Sequence, residues 1–144
     1  MKHLSKIIMR ILIIILILKP NLLITSDYAI KLNKINDGVW VYIPLEEQME
    51  NKILVSNIGV IEGDNYSLII DAGNSVSFAN QLLKELKKIT VKPIKYLIIT
   101  HRHYDHSFGL EAFTKEKTEV YMDKNEFQLL KSEGPLIKKM IFKE

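Results

Sequence analysis

Residues 98–106 read Ile-Ile-Thr-His-Arg-His-Tyr-Asp-His, and three of the chain's four histidines fall in the last six of these positions. The run that leads into them, IKYLIIT at residues 94–100, is mostly apolar and rich in isoleucine, which predicts a strand buried on both faces. In α/β sheets the carboxyl ends of strands are where loops converge on a ligand. Successive side chains of an extended segment alternate, so His101 and His103 point one way and Arg102 the other. Their Cα atoms then lie about 6.5–7 Å apart, close enough for two imidazoles to meet one ion through bonds of about 2.0–2.1 Å. Asp105 and His106 follow as the chain leaves the strand, and can offer one oxygen and one nitrogen to a second ion. The stretch reads as two half-sites on one loop, the base of a two-metal centre. One histidine here would read as a packed or surface residue; three in six, with an aspartate between them, point to a metal.

The rest of the chain alternates strands and helices around this motif. AIKLNKIN (residues 29–36) alternates apolar and polar residues, Asp37-Gly38 is a turn signal, and VWVYI follows, which together predict a hairpin. Ile53–Ile61 and Ser67–Ile70 are two further strands joined by the turn Glu62-Gly63-Asp64-Asn65. Asn74 or Ser75 can cap a helix running to about Ile89. In that helix Phe78, Leu82, Leu86 and Ile89 recur at helical spacing, while Lys84, Lys87 and Lys88 fall on the solvated side. A second helix is expected over Ser107–Phe113, a strand over TEVYM (residues 118–122), and a third helix from Asp123 to Leu130, before Gly134-Pro135.

Length and composition bound the rest. The 144 residues are 47% hydrophobic and 26% charged, enough for one domain with a core behind a leader. Lys2, Lys6 and Arg10 precede the unbroken apolar run Ile11–Leu18, the order of an export signal. Eight apolar residues span about 12 Å as a helix, against a bilayer core of roughly 30 Å. Residues 1–26 are therefore expected to be a signal peptide, with an N-terminal membrane anchor as the alternative, and the protein to be exported, to a bacterial periplasm or held at the inner membrane. The four basic residues of this leader account for the chain's basic balance; beyond it, 16 Lys and Arg face 17 Asp and Glu. No concentrated basic face points to nucleic acid. The chain has no cysteine, so a metal has to be held by nitrogen and oxygen.

At THRHYDH the chain resembles the metallo-β-lactamase-fold hydrolases, whose signature is HxHxDH. The resemblance extends to NIGVIEGDNYSLIIDAG, the helix SVSFANQLLKELKKI and the segment KPIKYLIITHRHYDHSFG, in that order, and covers about residues 35–130. It implies an α/β (α+β) fold, an αββα sandwich with its metal site at one edge of two sheets. By motif position it implies that His101 and His103 hold a first zinc and Asp105 and His106 a second, with Asp71 as an outer-shell residue. It implies a hydrolase in which a zinc-activated water, oriented by Asp105, attacks an ester, lactam, thioester or similar bond of a small molecule. Ala72 stands where members more often have Thr or Ser, Phe108 replaces a small residue, and His106 argues against the lactamase subclass with arginine there. Arg102 is expected to pack or pair on the far face, and Tyr104 to line or cap the pocket.

The family's further ligands lie in a second half, and no histidine follows His106. The expectation is an incomplete sandwich, 27–144 being the N-terminal part of the domain, with at most one zinc and with a missing C-terminal half or a second copy as partner. An inactive remnant or metal-binding interaction module is the alternative, and a small membrane-anchored structural protein a third reading.

Overall fold

The computed structural model describes residues 30–46 and 55–142, with side chains as far as Leu136. The leader expected over residues 1–26 and the expected strand start at Ile53 lie outside the described residues. Among the described residues no helix is long and apolar enough to cross a membrane.

The elements are β1 (Leu32–Asn36), β2 (Val39–Tyr42), β3 (Ile58–Glu62), β4 (Ser67–Ile70), α1 (Val76–Ile89), β5 (Ile94–Ile99), α2 (Tyr104–Ser107), α3 (Leu110–Lys115), β6 (Glu119–Met122) and α4 (Lys124–Phe142). The six strands form one sheet in sequence order. β1 to β4 pair antiparallel, whereas β4, β5 and β6 run parallel. The change of direction follows from the connections: short turns allow antiparallel neighbours, and α1 supplies the crossover that a parallel pair needs. Gly38, at φ +68°, turns the β1–β2 hairpin, and a Cβ there would sit 2.9 Å from the Glu62 carbonyl oxygen.

The helical period of α1 is the one read from the sequence. The Ser75 hydroxyl accepts the Phe78 N–H at 3.2 Å and caps the helix. Phe78, Leu82 and Leu86 are buried against the sheet residues Ile58, Val60, Ile69, Leu97 and Ile99, with Ala112 and Phe113 of α3 completing the core. Each large apolar side chain buried there is worth about 1.5–3 kcal/mol.

Four expectations are corrected. β5 is covered on one face rather than both: Leu97 and Ile99 are buried, but Ile98 is 37% exposed. The pairing register sets Ile98 between Ile70 and Tyr121 on the uncovered face. The predicted third strand is shorter than read, beginning at Ile58. The helix predicted over Ser107–Phe113 is two short helices that break at Phe108-Gly109, because the chain there passes against the loop after β4 and the Gly109 N–H goes to the Gly73 carbonyl at 3.0 Å. The final helix does not stop before Gly134-Pro135 but runs through both residues. Part of the clash that normally keeps the residue before proline out of a helix is with its Cβ, which Gly134 lacks.

Candidate metal centre

β4 and β5 are parallel neighbours, so their carboxyl ends lie side by side, and the next residues are Asp71 and Thr100-His101. Asp71 has φ +66°, a left-handed backbone that Asp tolerates better than most residues. Its amide donates to the Ile98 carbonyl at 2.8 Å, and its side chain turns back across the end of β5. One carboxylate oxygen accepts the Thr100 N–H at 2.8 Å, and the Thr100 hydroxyl lies 3.0 Å from both. Thr100 thus finds its partner in a side chain rather than in a neighbouring strand, and β5 ends at Ile99. His101 and His103 are therefore not on the strand, as alternation predicts, but beyond it, His101 in a bend and His103 at the N-cap of α2.

The histidines converge nonetheless. The His101 and His103 rings meet edge to face with centroids 4.7 Å apart, and the His106 ring is 4.0 Å from that of His101. The polar network assigns the tautomers. His106 Nδ1–H donates to Asp71 Oδ2 at 2.7 Å. The Thr100 hydroxyl hydrogen is spent on Asp71, so its oxygen accepts from His101 Nδ1–H at 3.0 Å. A ring that donates through Nδ1 and carries no second proton offers Nε2 as its free donor atom. His101 Nε2 lies 3.1 Å from His103 Nδ1, and His106 Nε2 lies 3.3 Å from Asp105 Oδ2.

These separations suit a zinc. Two ligands of a tetrahedral ion with bonds of about 2.0–2.1 Å stand roughly 3.4 Å apart. An unprotonated imidazole nitrogen facing a carboxylate oxygen at 3.3 Å is a repulsive pair unless a proton or a cation lies between. Asp71 holding Nδ1 of His106 is the carboxylate–imidazole support that orients metal-binding histidines. The donors come as two pairs: among the described residues, no group of three or more His, Asp or Glu side chains is arranged to hold an ion. The residues present thus fit zinc in donor type and spacing, two donors at a time.

The residues that hold the loop were not legible as site residues. The Ser107 hydroxyl is buried within 2.9 and 3.0 Å of the Arg102 and His103 carbonyls. The Ser56 hydroxyl donates to the Asp105 carbonyl at 2.9 Å. Arg102 pairs with α4: its guanidinium reaches Glu126 and Glu133. The Arg102 N–H, first, and then its guanidinium hold the Glu126 carboxyl below the usual range, while Glu133 raises the Arg102 guanidinium. Tyr104 lies edge-on to Phe108, with centroids 6.1 Å apart.

Asp71→Ala is expected to destabilise the fold by about 2–4 kcal/mol, since it leaves the Thr100 N–H and the His106 ring N–H without their charged partner. Urea denaturation measures this; a loss below about 0.5 kcal/mol, the range of an ordinary surface change, would contradict the role given to Asp71.

The sequence profile of the metallo-beta-lactamase superfamily matches residues 52–122. The linear primary-alkylsulfatase of Pseudomonas sp. (strain ATCC 19151) is 41% identical over 58 residues, 40% of this chain and 11% of that protein. The metallo-beta-lactamase FIM-1 from Pseudomonas aeruginosa, in its mono-zinc form, superposes with a TM-score of 0.64 at 24% identity, over 73% of this chain and 46% of that one. A metallo-beta-lactamase from Hirschia baltica gives 0.62 at 22% identity, over 73% and 48%. The chain spans just under half the length of these two structures, and at such identities the likeness is one of fold.

Proposed function

We propose that this chain, whose residues 52–122 match the metallo-beta-lactamase superfamily, is the N-terminal part of a zinc-dependent hydrolase of that superfamily, with His101 and His103 as ligands of one zinc and Asp105 and His106 as ligands of another. The observation that carries the reading is the pairing of donor atoms: His101 Nε2 with His103 Nδ1 at 3.1 Å and His106 Nε2 with Asp105 Oδ2 at 3.3 Å. Zinc bound there supplies Lewis acidity and a water whose pKa is lowered to about 7. Asp105 contributes a carboxylate beside His106 that can hold a proton of the attacking water and orient it. Asp71 keeps the His106 ring in the tautomer that offers Nε2.

The bond broken is an ester, lactam, thioester or similar bond in a small molecule. The likeness to an alkylsulfatase favours a sulfate ester over a lactam. A catalytic zinc takes three protein ligands and a water, so we assign the remaining donors to a C-terminal half or a second copy of the chain. Lys2, Lys6 and Arg10 before Ile11–Leu18 support export to a periplasm, or anchoring at an inner membrane. A second reading, a metal-binding module without turnover, is favoured by the two-donor limit of each pair.

The full chain, with and without added zinc, is to be assayed against an alkyl sulfate, a carboxylic ester, a thioester and a β-lactam. Zinc-dependent turnover of any of them, lost in Asp105→Ala, supports the hydrolase. Bound zinc without turnover of any of the four supports the module instead.

A further inference from the structure

We propose that Arg102 is a positioning residue, which locks the loop carrying His101 and His103 to α4 through Glu126 and Glu133. The inference rests on the reading of those histidines as zinc ligands and adds a second support to the one Asp71 provides.

The geometry is that of a clamp on both the backbone and the side chain of one residue. The Arg102 N–H donates to Glu126 Oε2 at 2.8 Å. Its guanidinium gives Nε to Glu133 Oε2 at 3.1 Å and Nη1 to Glu126 Oε1 at 3.3 Å. Glu126 and Glu133 are seven residues apart, close to two turns of helix, and so share the face of α4 that meets the loop. The start of that helix is fixed as well: Asp123 Oδ1 accepts the N–H groups of Asn125 and Glu126 at 2.8 and 3.2 Å. β6, which leads into α4, pairs its last residue, Met122, with Ile99. The helix is thus delivered beside the point where the histidine loop begins.

Arg102 lies between the two donors of the first pair, so its peptide N–H sets the path of the chain from one imidazole to the other. The network is partly shielded, with the Arg102 and Glu126 side chains 28% and 26% exposed, and a forked arginine–carboxylate arrangement is directional as well as attractive. Glu126 offers both oxygens to Arg102 and is a holder of the loop, not a donor to the ion. Two histidines held within a few tenths of an ångström bind an ion without first being ordered, which is how supporting residues raise metal affinity.

The test is zinc competition against a chromogenic chelator, together with amide hydrogen exchange, on the full chain and on Glu126→Ala, Glu126→Gln and Arg102→Ala. Glu126→Ala is expected to weaken zinc by about tenfold to a hundredfold, the range for outer supports of metal ligands, and to speed exchange over residues 100–107 while β3 and β4 stay protected. Glu126→Gln keeps an oxygen for the Arg102 N–H and is expected to recover most of the affinity, which a general loss of helix packing would not produce. Adding Arg102→Ala to Glu126→Ala is expected to cost less than the sum of the two changes, because both remove the guanidinium–Glu126 contact, while the Arg102 N–H bond to Glu126 and the Glu133 pair are lost in one variant each. Unchanged exchange over residues 100–107 in Glu126→Ala overturns the clamp whatever the zinc result. Unchanged zinc affinity in both alanine variants overturns its role at the site. A wild-type chain that takes up no zinc overturns the ligand reading itself, and the positioning role with it.

Discussion

Replacing His103 by alanine is expected to lower zinc affinity by about a hundredfold or more, beyond the 10–100-fold that outer supports command, and to leave the fold as stable as before. The two halves of this expectation come from different observations. His103 Nδ1 is one of the two donors of the His101 pair, so its removal leaves a single imidazole where two met. The side chain is exposed and belongs to no core cluster, and surface changes of this kind usually stay within about 0.5 kcal/mol. Titration with zinc and thermal unfolding of the same sample separate the two. His3, the one histidine outside residues 101–106, is the control: His3→Ala should bind zinc like the wild type. Equal affinity in His103→Ala would remove it from the ligand set.

Gly109→Ala acts on the fold instead, and is expected to cost about 4 kcal/mol or more, the range of changes that disrupt a packed interior. A Cβ at Gly109 would stand 2.0 Å from the Ala72 carbonyl oxygen and 2.8 Å from the Ala79 Cβ. The first contact is with backbone, which has no rotamer to escape into, and it lies in the loop directly after Asp71. The Gly109 φ is −80°, so the demand for glycine arises from close approach and not from a left-handed conformation. The Ala72 N–H donates to the His106 carbonyl at 2.7 Å and the Gly109 N–H to the Gly73 carbonyl at 3.0 Å. Pushing Ala72 away from Gly109 therefore separates the Asp71 loop from the histidine loop. Circular dichroism and urea denaturation of the variant are the measurement; a stability within 1 kcal/mol of the wild type would show that the two loops are not held as described.

What could be read in advance was whatever depends on local pattern. The apolar period of α1, its cap at Asn74 or Ser75, the Asp37-Gly38 turn and the carboxyl-end placement of the histidines each follow from residues a few positions apart. The features that were missed depend on distant partners. Thr100 leaves the strand because Asp71, 29 residues earlier, takes its N–H. Arg102 is ordered by Glu126, 24 residues later, and no spacing rule joins them. α4 was expected to end before Gly134-Pro135 because proline usually ends a helix, yet the helix runs on, and the preceding glycine relieves the Cβ part of the clash. The apolar run of β5 predicted two buried faces, whereas among the described residues Ile61, Ile98 and Tyr121 are 42%, 37% and 53% exposed on one of them. Isoleucines there match a sheet covered on both sides, and the described residues cover only one. The candidate donors were legible because all four fall within six residues; the tautomers of His101 and His106 were not, because these depend on Asp71 and Thr100.

The central claim is that residues 101–106 bind zinc, and the most direct measurement is the zinc content of the purified full chain by elemental mass spectrometry, after dialysis against a weak chelator. The account predicts about one zinc per chain, held at the His101–His103 pair while the second ion awaits the donors assigned to the other half, and lost in the double variant His101→Ala/His103→Ala. A chain that retains none, although folded and supplied with zinc, would contradict it.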